Sequence, residues 1–183
     1  MKQEIKETLA IPEGVHVTKD HDVFTVKGPK GELKKELKCP GISLKVQGRE
    51  VEFHVKVATM REKKMVMTFK SLLKSAFKGV AEGHTYRLKI CASHFPMTAS
   101  VKGNVLEVKN FFGEQTPRTV TIVDGAKVKV NGQEIVVEGI DKSIVSQAAA
   151  KFEEATKRPG FDKRRFQDGI YLIEKDGKVL HQG

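Results

Sequence analysis

The chain has 183 residues, 39% of them hydrophobic, which suffices for one large domain or two small ones with a real core. Its 33 Lys and Arg residues outnumber its 23 Asp and Glu residues, giving a formal net charge of +10. This composition argues against a disordered chain and indicates a polyanionic partner, with nucleic acid as the first candidate. The alternative explanation of the charge is solubility alone, for which a small domain carries a net charge of about 2 to 8 without a charged partner.

Two cysteines, Cys39 and Cys91, provide neither a disulfide framework nor a four-ligand zinc site. The opening residues MKQEIKETLAIPEG carry charges every few positions and lack the apolar core of a signal peptide. The sequence also lacks the run of about 18 apolar residues that a membrane-spanning helix needs. We therefore expect a cytosolic protein without a membrane partner.

Two hairpins are predicted in the first half. Residues 23–32 read VFTVKGPKGE, in which alternating apolar positions lead through a glycine-containing turn into a returning strand. The GPKG sequence at 28–31 has some likeness to a phosphate-binding loop, but it lies between two strands with no helix after it. It is therefore interpreted as a hairpin turn. Residues 41–53, GISLKVQGREVEF, predict the second hairpin, with Gln47-Gly48 as its turn.

An amphipathic helix closes the first half. Its apolar positions recur at spacings of three and four residues: Phe69, Leu72, Leu73, Ala76, Phe77 and Val80. A lysine stripe, interpreted as the solvated side of the helix, lies beside them: Lys70, Lys74 and Lys78. Three further cations precede this pattern and are interpreted as a hairpin turn whose tip enters an RNA groove: Arg61, Lys63 and Lys64.

The second half repeats the first in two gapless blocks. VLEVKNFFGE at 105–114 aligns with 23–32, and GAKVKVNGQEIVV at 125–137 aligns with 41–53 after a shift of two residues. Asn131-Gly132 in the second block predicts a type I′ hairpin, because both central residues of that turn need a positive φ. The earlier Gln-Gly pair is a weaker form of the same signal.

A second helix follows, with either Asp141 or Ser143 as its N-cap. Its apolar face comprises Ile144, Val145, Ala148, Phe152 and Ala155. The sequence therefore predicts an α+β fold of two tandem duplicated modules, each a small, mainly antiparallel sheet packed by one amphipathic helix. We expect the N-terminal repeat to span 1–83 and the C-terminal repeat, with a basic RNA-binding segment, to span 84–183.

The positive charge of the second half is concentrated in one segment. Residues 84–183 hold 16 basic and 12 acidic residues, and KRPGFDKRR at 157–165 alone holds five basic residues and one acid. Pro159-Gly160 predicts a loop or the start of a strand here. Its Lys and Arg side chains are expected to clamp phosphates, and Phe161 to stack on an unpaired base. Core packing is the preferred interpretation for Phe166.

No catalytic or cofactor-binding motif is found. The six histidines form no metal-binding or catalytic spacing with each other or with the cysteines, and no phosphate-binding or nucleophile-elbow motif is present. We therefore expect neither an enzyme nor a bound metal or cofactor.

Three segments resemble one family: IPEGVHV at 11–17, VKGPKGEL at 26–33 and DKRRFQDGIY at 162–171. Together they are similar to the universal large-subunit ribosomal protein L-six (uL-six) family in its archaeal and eukaryotic branch, over essentially the whole chain. The bacterial branch has a different, Lys- and Gly-rich sequence at the place of the third segment. That segment carries the pattern D-x-R-x-F-x-D-G-I-Y through Asp162, Arg164, Phe166, Asp168, Gly169, Ile170 and Tyr171.

The resemblance implies two related α+β domains that bind large-subunit rRNA, chiefly through the C-terminal one. It implies a structural role in the cytoplasmic large subunit near the sarcin-ricin loop and the stalk base. Neighbouring ribosomal proteins would be partners there, and translational GTPases would dock close by. Charge and the C-terminal motif together give the expected RNA-binding residues: Lys157, Arg158, Phe161, Lys163, Arg164, Arg165, Gly169 and Tyr171, with Arg61, Lys63 and Lys64 as a secondary set.

Two alternatives stay open from the sequence. One is a non-ribosomal RNA-binding protein built on the same repeat. The other is a small enzyme that acts on a polyanionic substrate, which requires acid and base groups converging in a pocket.

Overall fold

A computed structural model describes residues 3–162 and 164–180. The chain divides into two compact units, residues 1–83 (unit 1) and 84–183 (unit 2). Both units combine antiparallel strands with a helix, so the predicted α+β fold with a duplicated module is confirmed. Lys163, one of the expected RNA-binding residues, lies outside the described residues.

Unit 1 places six strands before its helix. These elements are β1 (Gln3–Ala10), β2 (His16–Asp20), β3 (Val23–Gly28), β4 (Gly31–Glu36), β5 (Ser43–Gln47), β6 (Glu50–Ala58) and α1 (Met60–Ala81). The strands form two antiparallel sheets, β1-β6-β5 and β2-β3-β4, where the sequence predicted a single sheet. The GPKG sequence at 28–31 joins β3 to β4, so its interpretation as a hairpin turn is confirmed.

Unit 2 repeats this order and then extends it. Its elements are β7 (His84–Cys91), β8 (Thr98–Lys102), β9 (Val105–Lys109), β10 (Arg118–Thr121), β11 (Lys127–Asn131), β12 (Glu134–Gly139), α2 (Lys142–Ala155), β13 (Gly169–Lys175) and β14 (Lys178–Val179). The sheets are β10-β9-β8 and β11-β12-β7-β13-β14. The order β7-β12-β11 matches β1-β6-β5 of unit 1, whereas β13 and β14 have no counterpart among the described strands of that unit.

Both helices begin at side-chain caps. Thr59 caps α1 and forms a capping box with Glu62, whose carboxylate accepts the Thr59 backbone N–H at 2.8 Å. Asp141 caps α2 by accepting the Ser143 backbone N–H at 2.9 Å, which decides between the two predicted caps. Each cap satisfies N–H groups that have no partner within the helix.

The first five residues of α1 contain the three cations that the sequence placed in a hairpin turn, Arg61, Lys63 and Lys64. That placement was wrong, because the capping box at Thr59 and Glu62 starts the helix before the apolar periodicity becomes visible. The local periodicity begins only where the helix reaches the sheets, so the sequence pattern located its start too late.

Two hairpin turns also differ from the prediction. Gly48 and Gly132 each occupy the first of two central turn positions, with φ of 59° and 60°, and the residue after each has no positive φ. This is the type II′ pattern, so the predicted type I′ turn was wrong. The reason is register: Asn131 still belongs to β11 and pairs with Glu134, which leaves the glycine to open the turn.

Each helix buries one face against its own unit. In α1 the buried side chains include Phe69, Leu73 and Phe77, whereas Leu72, predicted on the same face, is exposed. In α2 the buried residues include Val145 and Phe152, which join the core of unit 2. Full burial of such a side chain contributes about 1.5–3 kcal/mol to the free energy of unfolding, so these faces hold the helices in place.

Candidate nucleic-acid interface

The segment that connects α2 to β13, residues 157–168, is here called the basic loop. Its start is fixed by Arg118 at the beginning of β10. The Arg118 guanidinium donates to the backbone carbonyls of Ala155 at 2.7 Å and Lys157 at 3.4 Å. It also holds the Glu114 carboxylate through two hydrogen bonds of 2.7 and 2.8 Å and lies 4.2 Å from the Phe111 ring centroid. Arg118 is therefore a structural cation whose donors are committed within the fold.

The end of the basic loop is fixed by two polar side chains. The hydroxyl of Thr156 accepts the backbone N–H of Ile170 at 2.9 Å and donates to the Glu153 carbonyl at 3.3 Å. Two residues before Ile170, Asp168 is buried and accepts backbone N–H groups of Ser93 and His94. The loop thus leaves and re-enters the unit at positions held by hydrogen bonds.

Asp168 also orients an imidazole. Its carboxylate lies 2.6 Å from Nδ1 of His94, whose side chain is 41% exposed. Burial by itself raises the pKa of Asp168, but hydrogen bonds from the Ser93 N–H, the His94 ring and the His94 N–H outweigh it, and the pKa is lowered. The carboxylate is therefore ionised, Nδ1 carries the donated proton, and the other ring nitrogen is directed away from this contact.

A second loop, between β9 and β10, carries aromatic side chains to the same place. Its 3-10 turn spans Phe111–Gly113, and Phe112 has φ of 50° and ψ of 31°. A left-handed backbone at a bulky residue costs about 1–3 kcal/mol, so surrounding contacts must hold it there. Phe111 is buried in the core, and the turned backbone directs the half-buried Phe112 toward the basic loop.

Four rings form what we call the aromatic cluster: His94, Phe112, Phe161 and Phe166. Phe166 stacks on His94 with centroids 5.2 Å apart and meets Phe161 edge-on at 5.0 Å. Phe112 lies 6.2 Å from the centroids of both His94 and Phe161. Phe166 is half-buried in the cluster, whereas Phe161 is 41% exposed.

Arg158 is held by this cluster without using its donors. Its guanidinium carbon lies 4.1 Å from the Phe161 centroid and 4.6 Å from the Phe112 centroid. Such cation–π contacts are worth about 0.5–2 kcal/mol each and restrict the side chain to one region. Arg158 donates no hydrogen bond to another described residue, so the donors of a half-buried, ordered guanidinium stay available to an anion.

The other cations of the basic loop are exposed, and they differ in their partners. Arg164 is paired with Asp162 at 3.1 and 3.2 Å, and hydrogen bonding to Arg164 lowers the pKa of this carboxyl. The side chains of Lys157 and Arg165 have no hydrogen bond or ion pair to a described residue. Lys157, Arg158 and Arg165 are therefore better placed to bind phosphate than Arg164, which must first exchange a partner.

Two expected RNA-binding residues lie inside the unit rather than on the loop. Gly169 opens β13 and is buried, and a Cβ there would lie 3.3 Å from the Thr156 hydroxyl. Tyr171 is half-buried in the same strand, and burial raises the pKa of its phenol, which therefore stays protonated at neutral pH. Their positions indicate a packing role for Gly169, while Tyr171 lines the cavity described below.

The secondary set is presented by unit 1. Arg61, Lys63 and Lys64 are all exposed and lie within the first five residues of α1. In the lysine stripe, Lys70 is half-buried and pairs with Glu7 at 2.6 Å, so at least this member contributes to packing.

A cavity of about 470 Å³ opens beside the aromatic cluster. It lies between the end of α2, the basic loop and the start of β13. Within residues 3–162 and 164–180, no three His, Cys, Asp or Glu side chains are grouped so that they could hold a metal ion. Over the same residues, no helix is long and apolar enough to cross a membrane.

Sequence reasoning missed three residues of this site, His94, Phe112 and Arg118. They come from two other loops and a strand, far from the basic segment along the chain. One sequence signal could have indicated Phe112. In the alignment of the two repeats, Phe111 and Phe112 stand where the first repeat has its turn at 28–31.

A family model described as Ribosomal protein L6 matches residues 11–83 and 95–169. The chain is 46% identical over 175 residues to "Large ribosomal subunit protein uL6" of Methanosarcina mazei, covering 96% of this chain and 99% of the relative. It is 43% identical over 176 residues to the protein of the same name from Methanococcus vannielii, covering 96% and 97%. One matched segment falls within each of the two compact units.

Proposed function

Because the chain belongs to the ribosomal protein L6 family, we propose that it binds large-subunit rRNA chiefly through the basic loop of unit 2. The family is one of structural proteins of the large ribosomal subunit, so the role is structural rather than enzymatic. We further propose a location near the sarcin-ricin loop and the stalk base, where the protein supports the region that translational GTPases approach. Neighbouring ribosomal proteins would complete its surroundings in the cytoplasmic large subunit.

The observation that carries this proposal is the state of Arg158. Ordering a flexible arginine on binding costs side-chain entropy of up to about 2 kcal/mol, and its contacts with Phe112 and Phe161 have already restricted it. Its unused donors, together with those of Lys157 and Arg165, form a cationic edge on a loop anchored at both ends. Such an edge neutralises phosphates that folded rRNA brings close together.

The secondary set supports a second point of contact on unit 1. Cations in the first turn of a helix are disfavoured by the helix dipole, by about 0.3–1 kcal/mol each. Arg61 and Lys63 lie in this turn, where Glu62 is the one acid, and Lys64 follows directly after it. Phosphates at this end would remove the unfavourable interaction, so we assign the set to weaker rRNA contact.

Filter binding against large-subunit rRNA fragments tests the proposal. Replacing Arg158, Lys163, Arg164 and Arg165 with glutamine is expected to weaken binding far more than replacing Lys70, Lys74 and Lys78. Circular dichroism checks that both variants are folded. Equal losses of affinity in the two variants would refute the assignment of rRNA binding to the basic loop. An affinity that does not change with salt concentration would refute phosphate contact altogether.

A further inference from the structure

We infer that the cavity beside the aromatic cluster accepts one unpaired nucleobase of the bound RNA, and that this base carries an exocyclic amino group. The inference rests on the rRNA binding proposed above and adds a specific site to it. The cavity of about 470 Å³ falls within the range of about 300–1000 Å³ typical of small-ligand sites, which is roomy enough for one base.

The walls of the cavity offer flat surfaces for stacking. Phe112, Phe161 and Phe166 all line it, and Phe161 keeps 41% of its surface exposed although it stands in a cluster of rings. The planar guanidinium of Arg158 lines it as well. Unstacked RNA bases are commonly received on aromatic rings and arginine planes, because every base has a π face that replaces its lost neighbours.

The charge balance of the cavity lining disfavours a phosphate as its occupant. Three carboxylates line the cavity, those of Glu153, Glu154 and Asp168, against two cations, Lys157 and Arg158, so an anion inside it would meet a surplus of negative charge. Asp168 is occupied by its hydrogen bonds to residues 93 and 94, and one oxygen of Glu153 accepts the Leu172 backbone N–H at 2.7 Å. We therefore assign phosphate binding to the exposed cations of the basic loop and binding of an uncharged group to the cavity.

Glu154 supplies the selectivity. Its carboxylate is exposed, lines the cavity and has no hydrogen bond or ion pair to a described residue. A carboxylate only accepts hydrogen bonds, so it favours a base edge rich in donors, as in cytosine, adenine or guanine. Uracil presents two carbonyl oxygens beside its single N–H and is disfavoured. The protonated phenol of Tyr171 provides a donor for a ring nitrogen or carbonyl of the same base.

Base-specific chemical probing of large-subunit rRNA with the full chain locates the base wherever it lies in the RNA. Dimethyl sulfate reports on adenine and cytosine, kethoxal on guanine and carbodiimide on uracil. The wild-type protein is expected to protect one unpaired adenine, cytosine or guanine at its pairing edge. Phe161→Leu is expected to lose that protection while the backbone footprint persists. Phe95→Leu is the matched control, since Phe95 is 47% exposed in unit 2 but does not line the cavity.

A second measurement couples protein and RNA. Removing the protected base to leave an abasic site is expected to weaken binding about tenfold. Phe161→Leu also removes one of the two ring contacts of Arg158, so it should weaken binding at least as much, and the two changes together should cost less than the sum of the separate losses. Additive losses would overturn the base pocket, as would unchanged base reactivity in Phe161→Leu or protection of a uracil only. In each of these cases rRNA binding by the basic loop stands. Failure of the wild-type chain to bind the rRNA at all would instead remove both proposals.

Discussion

The carboxylate of Asp168 accepts a hydrogen bond from Nδ1 of His94 at 2.6 Å and another from the backbone N–H of the same residue at 3.2 Å. The side chain of Asp168 is 4% exposed, so these hydrogen bonds are shielded from solvent. One buried acid thereby joins the loop before β8 to the end of the basic loop, and it orients a ring of the aromatic cluster.

Asp168→Asn is expected to lower the free energy of unfolding by about 1–3 kcal/mol at pH 7. The asparagine amide would place its N–H donors against the backbone N–H groups and the His94 ring, which are themselves hydrogen-bond donors. The pKa of Asp168 is lowered in the folded state. Its contribution is therefore fully present above the unfolded pKa of about 3.9 and is lost as the pH falls through the folded pKa. Urea unfolding from pH 7 to pH 3 measures this, and the difference from wild type should narrow below about pH 4. A difference that stays constant with pH would contradict the ionised pair.

Arg118→Lys is expected to destabilise the protein by about 1.5–3 kcal/mol, because lysine cannot hold the Glu114 carboxylate and the Ala155 carbonyl together. Urea unfolding provides the measurement. Arg49→Lys is the control, since Arg49 is 79% exposed and bridges Glu13 at 3.4 Å only; it should change the free energy by less than about 0.5 kcal/mol. A loss for Arg118→Lys as small as the one expected for Arg49→Lys would show that the anchor of the basic loop is dispensable for stability.

Arg158→Gln is expected to weaken rRNA binding and to reduce the slope of log K against log salt by about 1, because one phosphate contact is lost. Arg158→Lys keeps the charge and should retain the slope, yet bind more weakly because lysine loses the planar stacking on Phe161. Filter binding at several salt concentrations separates the two effects. An unchanged slope in the glutamine variant would mean that Arg158 meets no phosphate.

Gly28→Ala is expected to destabilise unit 1 by about 1–3 kcal/mol, because its Cβ would lie 2.8 Å from both the carbonyl oxygen and Cγ2 of Val80. Thermal unfolding of the full chain measures the loss. Adding Val80→Ala removes the side-chain clash but leaves the backbone one, so the double variant should be more stable than the sum of the single effects predicts. Strictly additive losses would show that α1 does not approach β3 this closely.

Much of the fold was predictable because its signals are local. The alignment of 23–32 with 105–114 and of 41–53 with 125–137 gave the duplication, and helical spacing gave both helices. The errors also have local causes. The type I′ turn failed because Asn131 stays in its strand, and the cations before Val66 were assigned to a turn because the exposed start of α1 carries no apolar pattern.

The candidate site was predictable only in part. Charge counting found the segment 157–165, since surplus charge is visible in sequence whatever the fold. It did not distinguish Arg158 from Arg164, because the first stacks on Phe112 and the second is neutralised by Asp162. Gly169 was grouped with the RNA-binding residues because it belongs to the C-terminal motif. It is buried at the start of β13, where it packs closely against Thr156.

The sequence by itself determined the repeat, the helices and the basic character of the loop, because periodicity and charge depend on residue order alone. The tertiary structure decided which cations have donors to offer, because that depends on partners far along the chain. Arg118, 40 positions before Arg158, uses its guanidinium to hold the loop, while Phe112 and Phe161 order Arg158 without occupying its donors. Two arginines of identical chemistry therefore take opposite roles, and the difference comes from what the fold places beside each one.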